Sequence, residues 1–257
     1  MTTCQVPLLG YTVSSRGLTG DVAAAVQWCV HPDEGMHYMA CLNPHSLVAA
    51  KSDAAFSAAL HDADLLLPDG AGILLASTVL SGGVRERVAG MEFFLGLCEH
   101  ADRVGNFSFF FLGSSERVLA LIRERLARDY PNIAFAGSYS PPFKAEFSAA
   151  DMNAMIEAVN IARPTVLWVG MTAPKQEKWI RSNRARLKVP FAGAIGAVFE
   201  FYAGTTKRAP AWARRMGLEW LIRLMREPRR LWQRNFVSTP MFLLDVFKAA
   251  VLQRFGR

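Results

Sequence analysis

The chain has 257 residues, of which 51% are hydrophobic and 11% aromatic. That length and apolar content exclude a disordered or collagen-like chain and allow one large domain with a sizeable core. A formal net charge of +7 asks for an anionic partner without naming it.

The first residues, up to Gly17, carry no basic n-region and no sustained apolar run. No secretory signal is expected. Cys4, Cys29, Cys41 and Cys98 form no C-x-x-C pair and read as reduced thiols of a cytosolic protein. Short apolar runs then alternate with longer helical patterns. The predicted strands are Tyr38–Leu42, Leu65–Leu67, Phe107–Leu112, Ile133–Ala136, Thr165–Val169 and Pro190–Ala194. Between them the spacing predicts helices over His45–Leu60, Gly70–Leu80, Met91–Ala101, Ser114–Asp129 and Ala145–Ile161. The run Phe107–Leu112 is apolar almost throughout, as suits a parallel strand covered on both faces. This alternation predicts an α/β fold with a Rossmann-like, doubly wound, mostly parallel sheet.

The rhythm stops near Gly204, where a domain boundary is placed. Residues 1–204 form the expected catalytic domain. Residues 205–257 form a basic helical appendage, helical over Pro210–Met225, Pro228–Phe236 and Met241–Phe255. The appendage holds 12 Lys/Arg against three Asp/Glu, whereas the first 204 residues hold 17 against 19. Such asymmetry points to a nucleic acid, an anionic membrane or a phosphorylated ligand. Few apolar residues link this tail to the sheet in sequence, so it reads as flexible. Met241–Leu252 contains Asp245 and Lys248, and is read as too short and too charged to span a bilayer.

Ligands of open α/β sheets bind beyond the carboxyl ends of the strands. Asn43-Pro44-His45, Pro68-Asp69-Gly70, Gly113-Ser114-Ser115, Gly170 to Glu177 and Gly196 occupy those positions. Asp69 reads either as a general base or as the N-cap of the following helix. Gly113 to Ser115 offers backbone N–H groups to a phosphate, or is an ordinary turn. Gly193 to Gly196 lacks the spacing of a dinucleotide fingerprint, and no P-loop is present. The histidines show no metal-ligand spacing, so neither a metal nor a cofactor is expected. Asp62-Ala-Asp64 precedes its strand and reads as a solvated turn.

Several segments together resemble the WecG/TagA/CpsF family of bacterial glycosyltransferases. They are Leu42-Asn43, Ala63 to Gly70, Arg87-Val-Ala-Gly90, Phe110 to Gly113, Val169 to Trp179, Gly196 to Gly204, and the tail segment from Arg208 to Arg230. The resemblance implies inverting transfer of a sugar from a UDP-sugar donor to a polyprenyl-diphosphate-linked sugar, in assembly of surface polysaccharide. It places the protein in the cytoplasm, peripheral on the inner face of the plasma membrane. It implies Asp69 as the base that takes the acceptor hydroxyl proton. Asn43, Arg87 and Gln176 fall at family pocket positions, and Cys41, Gly113 and Glu177 join them as expected substrate-binding residues. Cys41 stands where the family often has Thr, and Glu92 and Glu200 stand for its Asp.

Arg214, Arg215 and Arg223 are the expected contacts to the departing diphosphate or to lipid headgroups. Trp212, Trp220, Trp232 and Phe236 lie among the arginines, which suits an interfacial helix or packing on the sheet. No nucleic-acid module is recognisable, so nucleic acid is not an expected partner. A homo-oligomer is compatible with the sequence. The alternative class is a Rossmann-type dinucleotide-dependent oxidoreductase.

Overall fold

The structure, a computed structural model, describes residues 4–32, 35–207, 210, 219–226, 232 and 234–255. The chain opens on an antiparallel hairpin, β1 (Gln5–Leu8) and β2 (Tyr11–Ser14). Leu9 and Gly10 turn it with φ of 50° and 86°, the left-handed geometry that follows strand twist. Helix α1 (Gly17–Val30) comes next. The elements predicted from sequence begin at Tyr38 and include neither the hairpin nor α1.

The remaining strands are β3 (His37–Leu42), β4 (Leu65–Pro68), β5 (Ser108–Gly113), β6 (Ala134–Tyr139), β7 (Val166–Gly170) and β8 (Phe191–Ala194). Each falls on one of the predicted runs. They form one six-stranded sheet in the order β4-β3-β8-β7-β5-β6, and every pairing is parallel. The doubly wound α/β expectation is met.

The helices between the strands are α2 (Pro44–Ala50), α3 (Ala54–His61), α4 (Ala71–Val79), α5 (Gly90–Val104), α6 (Glu116–Asp129), α7 (Ala149–Ala162), α8 (Lys175–Asn183) and α9 (Val198–Ala203). The single helix expected over His45–Leu60 is two. Asp53 starts the second by accepting a hydrogen bond from the Phe56 amide at 2.9 Å, so the chain is re-capped there.

Alternation within each strand builds the layers. Phe109, Phe111 and Trp168 pack with α1, α5, α6 and α9 on one face. Phe110, Leu112, Leu167 and Val169 pack with α7 and α8 on the other. Both faces are covered, so β5 reads as a continuous apolar run. Each such aromatic or aliphatic side chain contributes about 1.5–3 kcal/mol on full burial.

Gly204 ends α9 in the left-handed region. Beyond it lie α10 (Glu219–Arg226), a π-helical turn (Arg234–Ser238) and α11 (Thr239–Phe255). α11 is seated on the protein. Phe242 and Val246 are buried with Ala40, Leu42 and Leu66 in a third apolar cluster. Asp245 pairs with Lys51, and His45 Nδ1 lies 2.9 Å from Ser238 Oγ. These contacts tie the tail to the sheet through residues whose apolar match is not visible in the sequence.

The helical run 236–255 has 20 residues and a mean hydropathy of 1.3, long and apolar enough to cross a membrane by length and composition. The expectation from Met241–Leu252 is corrected there, because the π turn extends the run toward Phe236. Arg214 and Arg215 lie outside the described residues, as does the side chain of Arg223.

Candidate active site

β3 and β4 lie side by side, with Cys41 opposite Leu67 and Leu42 opposite Pro68. Their carboxyl ends therefore bring Asn43 and Asp69 together. The Asp69 amide donates to Leu42 O at 2.8 Å, tying one turn to the other. The N-cap of α4 is Gly70, with φ of 94°. The capping position weighed for Asp69 thus falls one residue later, on a glycine suited to that φ.

Asn43 is itself a cap. Its Oδ1 accepts from the amides of His45 at 3.1 Å and Ser46 at 3.0 Å, and the Asn43 backbone N–H donates to Ser46 Oγ in return. That capping box starts α2 and fixes the residue at the strand end.

A loop from Ser81 to Ala89 brings Arg87 to the same place. Val88 N–H donates to Pro68 O at 3.0 Å, so the loop is pinned to the end of β4. Arg87 stands 3.7 Å from Glu92 in the first turn of α5. α5 starts at Gly90 over the ends of β3 and β8. A Cβ there would lie 3.4 Å from Cys41 Sγ, 3.7 Å from Val198 and 3.8 Å from Ile195.

Cys41 marks the centre of the cluster. Its thiol is pushed well above its usual range, first by burial and then by the carboxylates of Asp69 and Glu177. Glu92 adds to this, and a hydrogen bond with the Gly90 backbone opposes it. Cys41, Asp69, Glu92 and Glu177 thus share one neighbourhood. The thiol there is protonated and unreactive at neutral pH.

Gln176 and Glu177 come from the first turn of α8 and are 4% and 3% exposed. Gln176 Nε2 donates to Glu177 Oε1 at 2.8 Å. The amide also reaches Gly196 at the end of β8, where a Cβ would lie 3.4 Å from Gln176 Oε1. Burial pushes the Glu177 carboxyl up to about 7.

Gly113 has a packing constraint of its own. It is buried at the end of β5, in register with Gly170, with φ of 123°. A Cβ there would sit 2.5 Å from Gly170 O. Its lack of a side chain serves close strand packing. The next residue, Ser114, donates to Glu200 Oε1 at 3.0 Å, and Ser115 caps α6. Glu200, read only as a departure from the family pattern, therefore orders this loop.

Asp62 and Asp64 sit at the opposite end of the sheet and pair with Arg181 and Arg184. The turn is ion-paired as well as solvated. Among the described residues no group of His, Cys, Asp and Glu is arranged to hold a metal ion.

The first strand of the sheet, β3, runs into Asn43-Pro44 and not into a glycine-rich turn. The phosphate cradle of a dinucleotide oxidoreductase does not stand at that place.

The profile of the Glycosyl transferase WecG/TagA/CpsF family matches residues 6–256. A protein of Bacillus spizizenii, named N-acetylglucosaminyldiphosphoundecaprenol N-acetyl-beta-D-mannosaminyltransferase, is 31% identical over 82% of this chain and 79% of its own length. A protein of that name from Bacillus subtilis is 30% identical over 80% of this chain and 77% of its own. One from Staphylococcus aureus is 24% identical, but over 96% of this chain and 94% of its own. All three names are those of sugar transferases, and they give the oxidoreductase alternative no support. The match spans the hairpin, the sheet with its crowded carboxyl edge and the docked last helix alike, and the chain belongs to the WecG/TagA/CpsF glycosyltransferase family.

Proposed function

We propose that this protein transfers an N-acetylhexosamine from a UDP-sugar to an N-acetylglucosaminyl diphosphate carried on a polyprenol. The carboxylate at the carboxyl edge of the sheet, Asp69, carries the reading. It is held by the backbone of β3, faced by Cys41 and flanked by the Arg87 loop. The names of the Bacillus and Staphylococcus relatives supply the sugar classes.

The reaction is one in-line displacement with inversion. Asp69 accepts the proton of the acceptor hydroxyl as that oxygen bonds the anomeric carbon. The bond from that carbon to the UDP oxygen breaks, and the electron pair leaves with the diphosphate. Arg87 and Gln176 position the sugars, and guanidinium groups of the tail neutralise the leaving charge. One base suffices, because no covalent enzyme intermediate forms.

Asp69→Asn tests this. Transfer should fall by about 10²–10⁴-fold while UDP binding persists. Wild-type rates in Asp69→Asn would remove Asp69 as the base.

The tail supports a place of work at the membrane. Phe236, Leu244, Phe247, Leu252 and Phe255 are exposed along the helical run 236–255, which follows the arginine-rich segment in sequence. Anionic headgroups attract basic residues at about 1 kcal/mol each. These features support binding at the cytoplasmic face of the membrane that holds the lipid-linked acceptor.

A further inference from the structure

Two oxygens at the carboxyl edge of the sheet lack partners among the described residues: Gln176 Oε1 and Glu177 Oε2. Both belong to side chains more than nine-tenths buried, and the other atoms of the same two groups are bonded to each other at 2.8 Å. Two bare acceptors on neighbouring residues in a dry place are costly. One proton removes both costs. A carboxylic acid at Glu177 can donate from Oε2 to Gln176 Oε1 while its Oε1 accepts from Gln176 Nε2.

We propose that Glu177 is a positioning residue, a neutral carboxylic acid closed into a two-bond ring with the Gln176 amide. The ring fixes that amide against Gly196 and leaves Asp69 as the group that takes the acceptor's proton. The proposal rests on the reading of Asp69 as the base.

The surroundings favour the neutral acid. The group facing it from β3 is Cys41, whose thiol is itself held protonated. Asp69 and Glu92 act on that same thiol, and both are acidic. Among the described residues no lysine or arginine acts on the Glu177 carboxyl, which burial raises to about 7 against the Gln176 hydrogen bond and its own backbone N–H. A second negative charge there would lie unpaired in low dielectric, near the first.

The ring also sets a pH dependence. Loss of the Glu177 proton breaks one of its two bonds, leaves Gln176 Oε1 without a donor and sets a second carboxylate near Asp69. Transfer should then decline on the alkaline side, by about tenfold per pH unit beyond the apparent pKa.

The test compares the full-length protein with Glu177→Gln, both carrying Asp21→Asn to remove another buried carboxyl. Infrared difference spectra at pH 6 should show a protonated-carboxyl C=O band that is lost in Glu177→Gln. The ratio of kcat/KM at pH 8 to that at pH 6 should rise toward one in Glu177→Gln, with UDP-N-acetylmannosamine as donor. Identical spectra in the two proteins, or an alkaline limb unchanged by the substitution, would overturn the assignment. The spectrum needs no turnover, so it decides Glu177 even if Asp69 fails as the base.

Discussion

Replacing Asp21 with asparagine should stabilise the protein at neutral pH and flatten its pH dependence. Asp21 lies in α1, fully buried, and accepts from Ser14 Oγ. Its second oxygen has no partner among the described residues. Burial raises its pKa from 3.8 to about 6, against the opposing effects of the Ser14 bond and Arg16, while the Glu86 carboxylate raises it further. The folded state therefore holds this proton more tightly than the unfolded chain does. The stability tied to it is fully present below about pH 4 and is lost as pH rises to about 6. At pH 8 the loss amounts to about 3 kcal/mol, because each pH unit between the unfolded and folded pKa values is worth about 1.36 kcal/mol. Asparagine keeps the acceptor for Ser14 and carries no charge. Its NH₂ needs a partner, which takes back about 1 kcal/mol. A net gain of about 2 kcal/mol at pH 8 is expected, shrinking to nothing or reversing near pH 4. Urea unfolding at pH 4, 6 and 8 measures it. A variant less stable than wild type at pH 8 would show that the buried carboxylate is charged and paired, and the reasoning would fall.

Three further outcomes are expected. Gly113→Ala should lower stability by about 3 kcal/mol or more, because its Cβ would meet Gly170 O at 2.5 Å with φ at 123°; an unchanged Tm would return Gly113 to the substrate site. Cys41→Thr should alter UDP-sugar affinity by about fivefold with little change in Tm, since a hydroxyl is the better hydrogen-bond partner at that strand end. Equal affinities for a panel of UDP-sugars in both proteins would exclude this position from donor recognition. Phe247→Glu with Leu252→Glu, at side chains 64% and 71% exposed, should weaken sedimentation with phosphatidylglycerol vesicles by on the order of tenfold. The circular dichroism should stay as it is, and unaltered sedimentation would sink the membrane reading.

The sheet was legible because its strands are short apolar runs closed by turn residues, and their parallel direction followed from the helices between them, though not their order. Asp69, Asn43 and Gln176 were legible because the carboxyl ends of parallel strands collect at one edge. The hairpin was harder to read. Its strands are four residues each, and Leu9, half of its turn, carries no turn signature in sequence. The Arg87 loop was readable only by resemblance, since what holds it is tertiary: Val88 on Pro68, and Val84 on the Ser77 hydroxyl. The pairing of Gln176 with Glu177 was beyond any pattern. Neighbours on a helix ordinarily diverge, and only burial makes their contact matter. The packing of Gly113 was hidden for a related reason. A glycine at a strand end serves an anion or a neighbouring backbone equally well in sequence, and only the fold shows the approach of Gly170.

The last helix joins two parts of the proposed chemistry that stand far apart in sequence. Its Phe242 ring lies 3.3 Å from where a Cβ on Gly72 would stand, and Pro44 lies at 2.5 Å from the same point. Gly72 is three residues from Asp69, and Pro44 follows Asn43. His45 holds Ser238 at the head of the same helix. The two strand-end turns and the buried side of α11 are therefore one packed unit. On the other side of α11, Phe247 and Leu252 face outward. A truncation that removes the helix would open the apolar cluster around Phe242 and disturb the turns that carry Asn43 and Asp69. Loss of activity in such a truncation would then say nothing about membranes, whereas substitutions on the outward face separate docking from folding. The same packing gives the membrane proposal its mechanical content: a helix resting on the bilayer would set the Asp69 turn at a fixed height above it, where the sugar of a lipid-linked acceptor is presented.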